Sequence, residues 1–94
     1  MPNDATRLTM TVAELITECD KYLRSLGYGK DSMRMYSKIW NKFASYASVR
    51  NQETFTPAFA EHYLSEEYGV TEDTAKTTYQ KNLVLAMRRL SDFP

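Results

Sequence analysis

A row of positive side chains, spaced four residues apart, is the feature of this sequence that points most directly to chemistry. The row consists of Lys30, Arg34, Lys38 and Lys42. Residues four apart lie on the same side of an α-helix, so the four cations share one side of a helix that spans them. They cover about 18 Å of helix at 1.5 Å per residue. Cations over such a length match a polyanion, because lysine and arginine neutralise phosphates.

Acidic side chains are missing where they would usually neutralise such a row. The segment 32–52 contains four basic residues and no acidic one, whereas the segment 53–73 contains six acidic residues and no basic one. The segment 74–91 again has four bases and no acid. Like charges four apart on a helix repel by roughly 0.2–0.5 kcal/mol. A plain solvated face remains one interpretation of the row, and the absence of acids favours an anionic partner.

The other residue types that carry chemistry are isolated. Cys19, the only cysteine, falls on an apolar stripe and predicts a buried structural thiol rather than a nucleophile. His62, the only histidine, has no Cys/His spacing typical of zinc. The acidic run 61–73 lacks a calcium-loop pattern, which indicates a solvated face or a surface that meets a basic partner. We therefore expect no cofactor, no metal and no catalytic site.

Four amphipathic segments must position these residues, and they predict an all-α, compact four-helix domain over 11–93, preceded by a flexible leader, 1–10. The first segment begins at Thr11 and ends at Gly27, and the second runs from about Asp31 to Ser48 with Asp31 or Ser32 as its cap. The third starts at Thr56-Pro57 and stops near Gly69, and the fourth starts near Thr71 or Asp73 and reaches about Leu90. Threonine caps and a Pro at the first helical position are typical start signals.

Apolar residues at spacings of three and four give the predicted core. It comprises Val12, Leu15, Ile16, Cys19, Leu23, Leu26, Met33, Tyr36, Ile39, Trp40, Phe43, Tyr46, Ala47, Phe59, Ala60, Tyr63, Leu64, Ala75, Tyr79, Leu83, Ala86, Met87 and Leu90. On the second helix, with Arg34 at 0°, the angles between about 180° and 240° are occupied by Tyr36, Trp40, Phe43 and Ala47. Each buried large side chain contributes about 1.5–3 kcal/mol, so burial of the core turns the cation row outward. Opposite the core stripe of the fourth helix lie Thr74, Thr77, Lys81 and Arg88, and hydroxyls with cations are groups that contact phosphates.

The string TVAELITECDKYLRSLGYGKDSMRMYSKIWNKFASYA, residues 11–47, resembles the N-terminal core-binding (SAM-like) domain of tyrosine recombinases and phage integrases. In that family the first helix ends in a leucine-rich turn. A Ser/Thr-rich start, a tyrosine, a large apolar residue and an aromatic follow, and here these are Ser32, Tyr36, Trp40 and Phe43. FTPAFAEHYLSEE and TEDTAKTTYQKNLVLAMRRLSDF resemble the family's third and fourth helices.

The resemblance implies a DNA-binding module of a site-specific recombinase, which forms half of a clamp on duplex DNA for integration and recombination. The second and fourth helices of such a domain face the DNA. Together with the charge argument, this gives the predicted DNA-binding set Lys30, Ser32, Arg34, Lys38, Lys42, Thr74, Thr77 and Lys81. The implied partners are double-stranded DNA, the protein's own C-terminal catalytic domain and other recombinase protomers on DNA. The implied location of such a bacterial or phage-encoded protein is the cytoplasm, in association with the nucleoid when it acts.

The catalytic residues of that family are absent from this sequence. The family uses a tyrosine nucleophile, two arginines, a lysine and a His-x-x-Arg element, but His62 is followed by Tyr-Leu-Ser. Tyr36, Tyr63 and Tyr79 fall on apolar stripes and are predicted to be core. We therefore expect a non-catalytic fragment or first domain of a longer recombinase.

Two other functions remain open on the sequence alone. One is a helical protein-interaction module whose acidic and basic faces join partner subunits without DNA. The other is a stand-alone helix-turn-helix regulator, which the length of the fourth helix disfavours. No apolar run reaches the roughly 20 residues of a membrane span, so we expect no membrane partner, and a single cysteine is typical of a reducing, cytoplasmic setting.

Overall fold

The computed structural model describes residues 10–93, and four α-helices account for most of that range. α1 spans Val12–Ser25, α2 spans Lys30–Val49, α3 spans Pro57–Tyr68 and α4 spans Thr78–Ser91. No strand forms within the described range, where a single antiparallel bridge joins Thr11 to Thr54. The radius of gyration, 12.8 Å, is close to the value of about 13 Å expected for a compact domain of this length. The prediction of a compact all-α, four-helix domain is confirmed.

Two helix starts follow the predicted capping chemistry. At α1 the Glu14 N–H donates to Thr11 Oγ1 at 3.1 Å, and the Thr11 N–H donates to Glu14 Oε1 at 3.0 Å. At α3 the Phe59 N–H donates to the hydroxyl of Thr56 at 3.1 Å. Such caps satisfy backbone donors that have no partner within the helix. Of the predicted leader, residues 1–9 lie outside the described residues, and Met10 packs against the core.

The start of α2 differs from the prediction. Gly29, with extended φ −75° and ψ 165°, is the N-cap, and no side chain caps this end. Asp31 lies in the first turn of the helix, where its negative charge interacts favourably with the positive end of the helix dipole. The chain turns through Gly27, whose φ of 94° is accessible mainly to glycine. The helix therefore begins directly after this turn, and the assignment of the cap to Asp31 or Ser32 was wrong.

The start of α4 also differs, by about two helical turns. Thr71 and Thr74 bond each other: the Thr71 N–H donates to Thr74 Oγ1 at 2.8 Å, and the Thr74 N–H donates to Thr71 O at 3.2 Å. These bonds close a separate turn. A capping box then starts the helix, because the Gln80 N–H donates to Thr77 Oγ1 at 3.1 Å and the Thr77 N–H donates to Gln80 Oε1 at 3.2 Å. Thr74 and Thr77 therefore precede α4 and do not lie on it.

Helix α2 lies at the centre of the core and contacts α3 and α4 through large aromatic side chains. Trp40 is fully buried, stacks on Tyr36 with ring centroids 5.4 Å apart, and donates its indole N–H to Ala86 O in α4 at 2.9 Å. Phe43 packs edge-on against Tyr63 of α3, with centroids 5.1 Å apart. These contacts lock the rotation of α2 about its axis.

Most of the predicted core residues are buried or pack against the core, and three are not: Leu26, Tyr79 and Ala75. Leu26 is 58% exposed and Tyr79 is 54% exposed. Leu26 is the C-cap of α1 and Tyr79 lies in the first turn of α4, so both extend past the edge of the packed interface. Ala75 lies in the connecting segment before α4 and is half-buried. Further core residues come from connecting segments and the chain end, outside the periodic stripes: Phe55, Val70 and Phe93.

Candidate nucleic-acid interface

The cation row of α2 lies on the outer surface of the domain. Lys30, Arg34, Lys38 and Lys42 are all exposed. On the opposite side of the same helix, Trp40 and Phe43 have no exposed surface. The prediction that core packing turns this row outward is confirmed.

The four cations of the row have no ion-pair partner within 4.0 Å among residues 10–93. The ion pairs of that range lie elsewhere, in α1 and around the acidic segment: Glu18–Lys21, Asp20–Arg24, Arg50–Glu66, His62–Glu66 and Glu72–Arg88. The positive charge of the row is therefore not neutralised within the described domain.

Two arginines of the basic segments form ion pairs with acidic side chains, so they do not add unpaired positive charge to that of the row. Arg50 donates to Glu66 at 2.5 Å and lies over the Tyr46 ring, 3.6 Å from its centroid. The hydrogen bond from Arg50 holds the pKa of Glu66 below its usual value of 4.5. Arg88 pairs with Glu72. The acidic segment is thus partly neutralised by its own neighbours.

Three cations of the row border a groove of about 710 Å³, which we call the α2 groove. Arg34, Lys38 and Lys42 line it together with the apolar side chains of Met35 and Ile39. Tyr68, at the end of α3, and Tyr79, at the start of α4, also line this groove. Asp31 is the one acid among the described residues that line it. A cationic edge with an aromatic wall is the combination that binds single-stranded or distorted nucleic acid.

The remaining predicted DNA-binding residues are exposed but do not line the α2 groove. Ser32 lies about 160° around α2 from Arg34, and Lys81 lies about 200° around α4 from Tyr79. The Thr77 hydroxyl is occupied as a helix cap and Thr74 is bonded within its turn. The structure therefore brings Arg34, Lys38 and Lys42 together, and α4 contributes Tyr79 to the groove where the sequence suggested Lys81.

The two tyrosines of the groove were missed by the sequence argument, which placed Tyr79 in the core. The available signal was the capping box of α4, Thr77 with Gln80. Once the helix is known to start at Thr78, Tyr79 falls in its first turn, where the side chain extends beyond the packed interface. Tyr68 gave no comparable signal, because its position follows from the end of α3 at Gly69.

The isolated Cys19 is buried, as predicted. Burial raises the pKa of its thiol to about 11, because desolvation disfavours the thiolate. The thiol donates weakly to Arg89 O at 3.6 Å. Within residues 10–93, no group of three or more His, Cys, Asp or Glu side chains is placed to hold a metal ion.

No protein-family model, curated protein or solved structure matches this chain. In the described part of the chain, each helix is too short or too polar to cross a membrane. The site is therefore interpreted from its own chemistry: an exposed cation row with no ion-pair partner in the described range, beside a groove with aromatic walls.

Proposed function

We propose that this chain is a DNA-binding module that binds duplex DNA through the cation row of α2. The observation that carries the proposal is the set of four outward cations, three of them in the acid-free segment 32–52, without an ion-pair partner in the described range. Unpaired cations on one exposed helix side repel one another. A polyanion relieves that repulsion and releases its own counterions on binding.

Each predicted contact has a chemical role in this proposal. Arg34 and Lys38, at the middle of the row, neutralise phosphates, and Lys30 and Lys42 extend the contact along the helix. Lys81 and the hydroxyls of Ser32 and Thr77 add contacts to phosphate oxygens on neighbouring surfaces, since the Thr77 hydroxyl accepts from Gln80 N–H and can still donate its own proton. The Thr74 hydroxyl both accepts and donates within its turn, so Thr74 must open that turn to reach a phosphate. Phosphate contacts position a protein on DNA but do not by themselves read sequence.

The resemblance to the core-binding domain of tyrosine recombinases extends the proposal. In that role the chain forms half of a clamp on duplex DNA, catalyses nothing itself, and positions a separate catalytic domain during integration or recombination. Other protomers bind the same DNA. The compact four-helix domain supports this extension, because the resemblance implies a domain of that kind.

A protein-interaction module is the second candidate, and one observation favours it. A hollow of about 480 Å³ between α3, the connecting segment and α4 is lined by four acids, Glu61, Glu72, Asp73 and Asp92, and by one cation, Arg88, which pairs with Glu72. A domain with a basic row and an acidic hollow has charge-complementary surfaces for a second copy. This function predicts self-association in low salt without DNA, which sedimentation measures directly.

The salt dependence of duplex binding tests the DNA-binding proposal. With four phosphates neutralised, the logarithm of the association constant should fall against the logarithm of the salt concentration with a slope of about −3.6, roughly a hundredfold loss of affinity from 50 to 200 mM salt. Fluorescence anisotropy with a labelled duplex measures this slope. A slope near zero, or sedimentation that shows a DNA-independent oligomer and no duplex complex, contradicts the proposal.

A further inference from the structure

We propose that the α2 groove is a binding site for unpaired nucleobases, so that the domain prefers duplex DNA flanked by a single-stranded segment to fully paired duplex. The inference rests on the proposed function, because it assumes that the cation row holds a DNA backbone. It adds a ligand class, one or two bases outside the duplex, and a residue that recognises them, Tyr79.

Tyr79 is an exposed aromatic held in a defined position. Its ring lies edge-on to Tyr68, with centroids 6.2 Å apart, and Tyr68 packs in turn against the buried Tyr63 at 5.7 Å. The hydroxyls of Tyr63 and Tyr68 are 3.3 Å apart. The capping box of Thr77 and Gln80 fixes the backbone beside it. The aromatic contacts thus run from the core to a ring that leaves 54% of its surface to solvent.

The dimensions of the α2 groove match one or two bases. Its apolar contact on α2 consists of Met35 and Ile39, which are about 6 Å apart along the helix. Stacked bases on one strand are about 3.4 Å apart, so this contact spans two of them. An amphipathic helix docking in a groove needs apolar anchors over about i to i+7, or about 10 Å of helix, which is longer than the separation of Met35 and Ile39.

The charge of the groove edge fits the backbone that carries those bases. Arg34, Lys38 and Lys42 extend over about 12 Å, and Asp31 is the only opposing charge among the described lining residues. Sequence-tolerant binding of single strands combines a positive groove for the backbone with aromatic rings for the bases. An acidic peptide would share the charge complementarity but would leave the tyrosine wall without a comparable partner.

The test compares a blunt duplex with the same duplex that carries a short oligothymidine extension on one strand. The full chain and three variants are titrated by fluorescence anisotropy: Tyr79→Ala, Tyr79→Phe and Tyr22→Ala. Tyr22 is the matched control because it is an exposed tyrosine on α1, outside the groove. Thermal unfolding of each variant verifies that the fold is intact.

We expect the extension to strengthen binding by the wild type about five- to 150-fold, the range of one base stacked on an aromatic side chain. Tyr79→Ala should remove this gain, so that this variant binds the two probes equally, whereas Tyr79→Phe and Tyr22→Ala should retain the gain. Equal affinity of the wild type for both probes, or an equal loss in Tyr79→Ala and Tyr22→Ala, overturns the inference and leaves duplex binding standing. Failure to bind either probe overturns both proposals. An acidic amphipathic peptide is also titrated as a competitor. The nucleobase assignment is overturned if the peptide cancels the gain from the extension without weakening the binding of blunt duplex, and if Tyr79→Ala weakens the binding of the peptide more than that of the extended duplex.

Discussion

Replacing Arg34 and Lys38 together with glutamate is expected to abolish measurable binding to duplex DNA, a loss of at least about a hundredfold at low salt. Two phosphate contacts are lost and two carboxylates repel the backbone. Fluorescence anisotropy at low salt measures this loss.

The helices should survive this double substitution. Both side chains are exposed, and the new glutamates would lie four residues from Lys30 and Lys42, which converts two repulsive spacings into attractive ones. Helicity by circular dichroism should therefore be unchanged. A loss of helicity would mean that Arg34 or Lys38 has a packing role that the fold does not indicate.

A charge-matched control separates the location of the charges from their number. Replacing Lys21 and Arg24 of α1 with glutamate changes the net charge by the same amount, from a starting value of zero. These two residues pair with Glu18 and Asp20 and lie outside the α2 groove. The control should lose only a small part of the affinity. An equal loss in the two double variants would show that net charge alone governs binding, against a site on α2.

Replacing Trp40 with alanine is expected to have the largest effect on stability, a loss of about 3–5 kcal/mol. Trp40 is fully buried, stacks on Tyr36 and donates to Ala86 O in α4. The total stability expected for a chain of this length is about 5–14 kcal/mol at 0.05–0.15 kcal/mol per residue. The loss is therefore between about a fifth and all of the total stability, so the variant should unfold at a clearly lower denaturant concentration than the wild type. Denaturant unfolding followed by circular dichroism measures the change, since the tryptophan fluorescence is removed with the residue.

Two further variants define what the Trp40 contact contributes. Trp40→Phe keeps most of the buried area and loses the indole hydrogen bond, so it should cost about 1 kcal/mol for that bond plus the cost of a smaller ring. Val49→Ala, at a position that is 79% exposed, should stay within about 0.5 kcal/mol of the wild type. A cost for Trp40→Ala as small as that of Val49→Ala would contradict the packing of α2 against α4.

The sequence was sufficient for the features that depend on periodicity. The apolar spacing of α2 identified Met33, Trp40 and Phe43 as core, and this identification fixed the outward direction of the cation row. Burial of several large side chains contributes far more free energy than the repulsion within the row costs, so the rotation followed from the pattern alone. The threonine caps of α1 and α3 were identified for a similar reason, because they are local.

The features that depend on competition between local structures were not predictable in this way. Thr71 and Thr77 are both possible N-caps for the last helix. The hydrogen bonds between Thr71 and Thr74 close a single turn, and the helix does not continue from it. The helix then starts at the second threonine, which moves Thr74 and Thr77 off it. The position of Tyr79 beside Arg34 and Lys38 depends on how α4 packs against α2. From the sequence alone Arg88 was one of the cations available to contact phosphates. In the structure the turn before α4 places Glu72 next to it, and the two form an ion pair.

The measurement that tests the central claim most directly is an amide NMR titration of the isotopically labelled chain with duplex DNA in low salt. The claim is that core packing presents the cation row of α2 to a polyanion. It predicts that chemical-shift changes concentrate between residues 30 and 42, with smaller changes near Tyr79 and almost none in the acidic segment 53–73. The largest changes on α1 or in the acidic segment, with α2 unaffected, would contradict it.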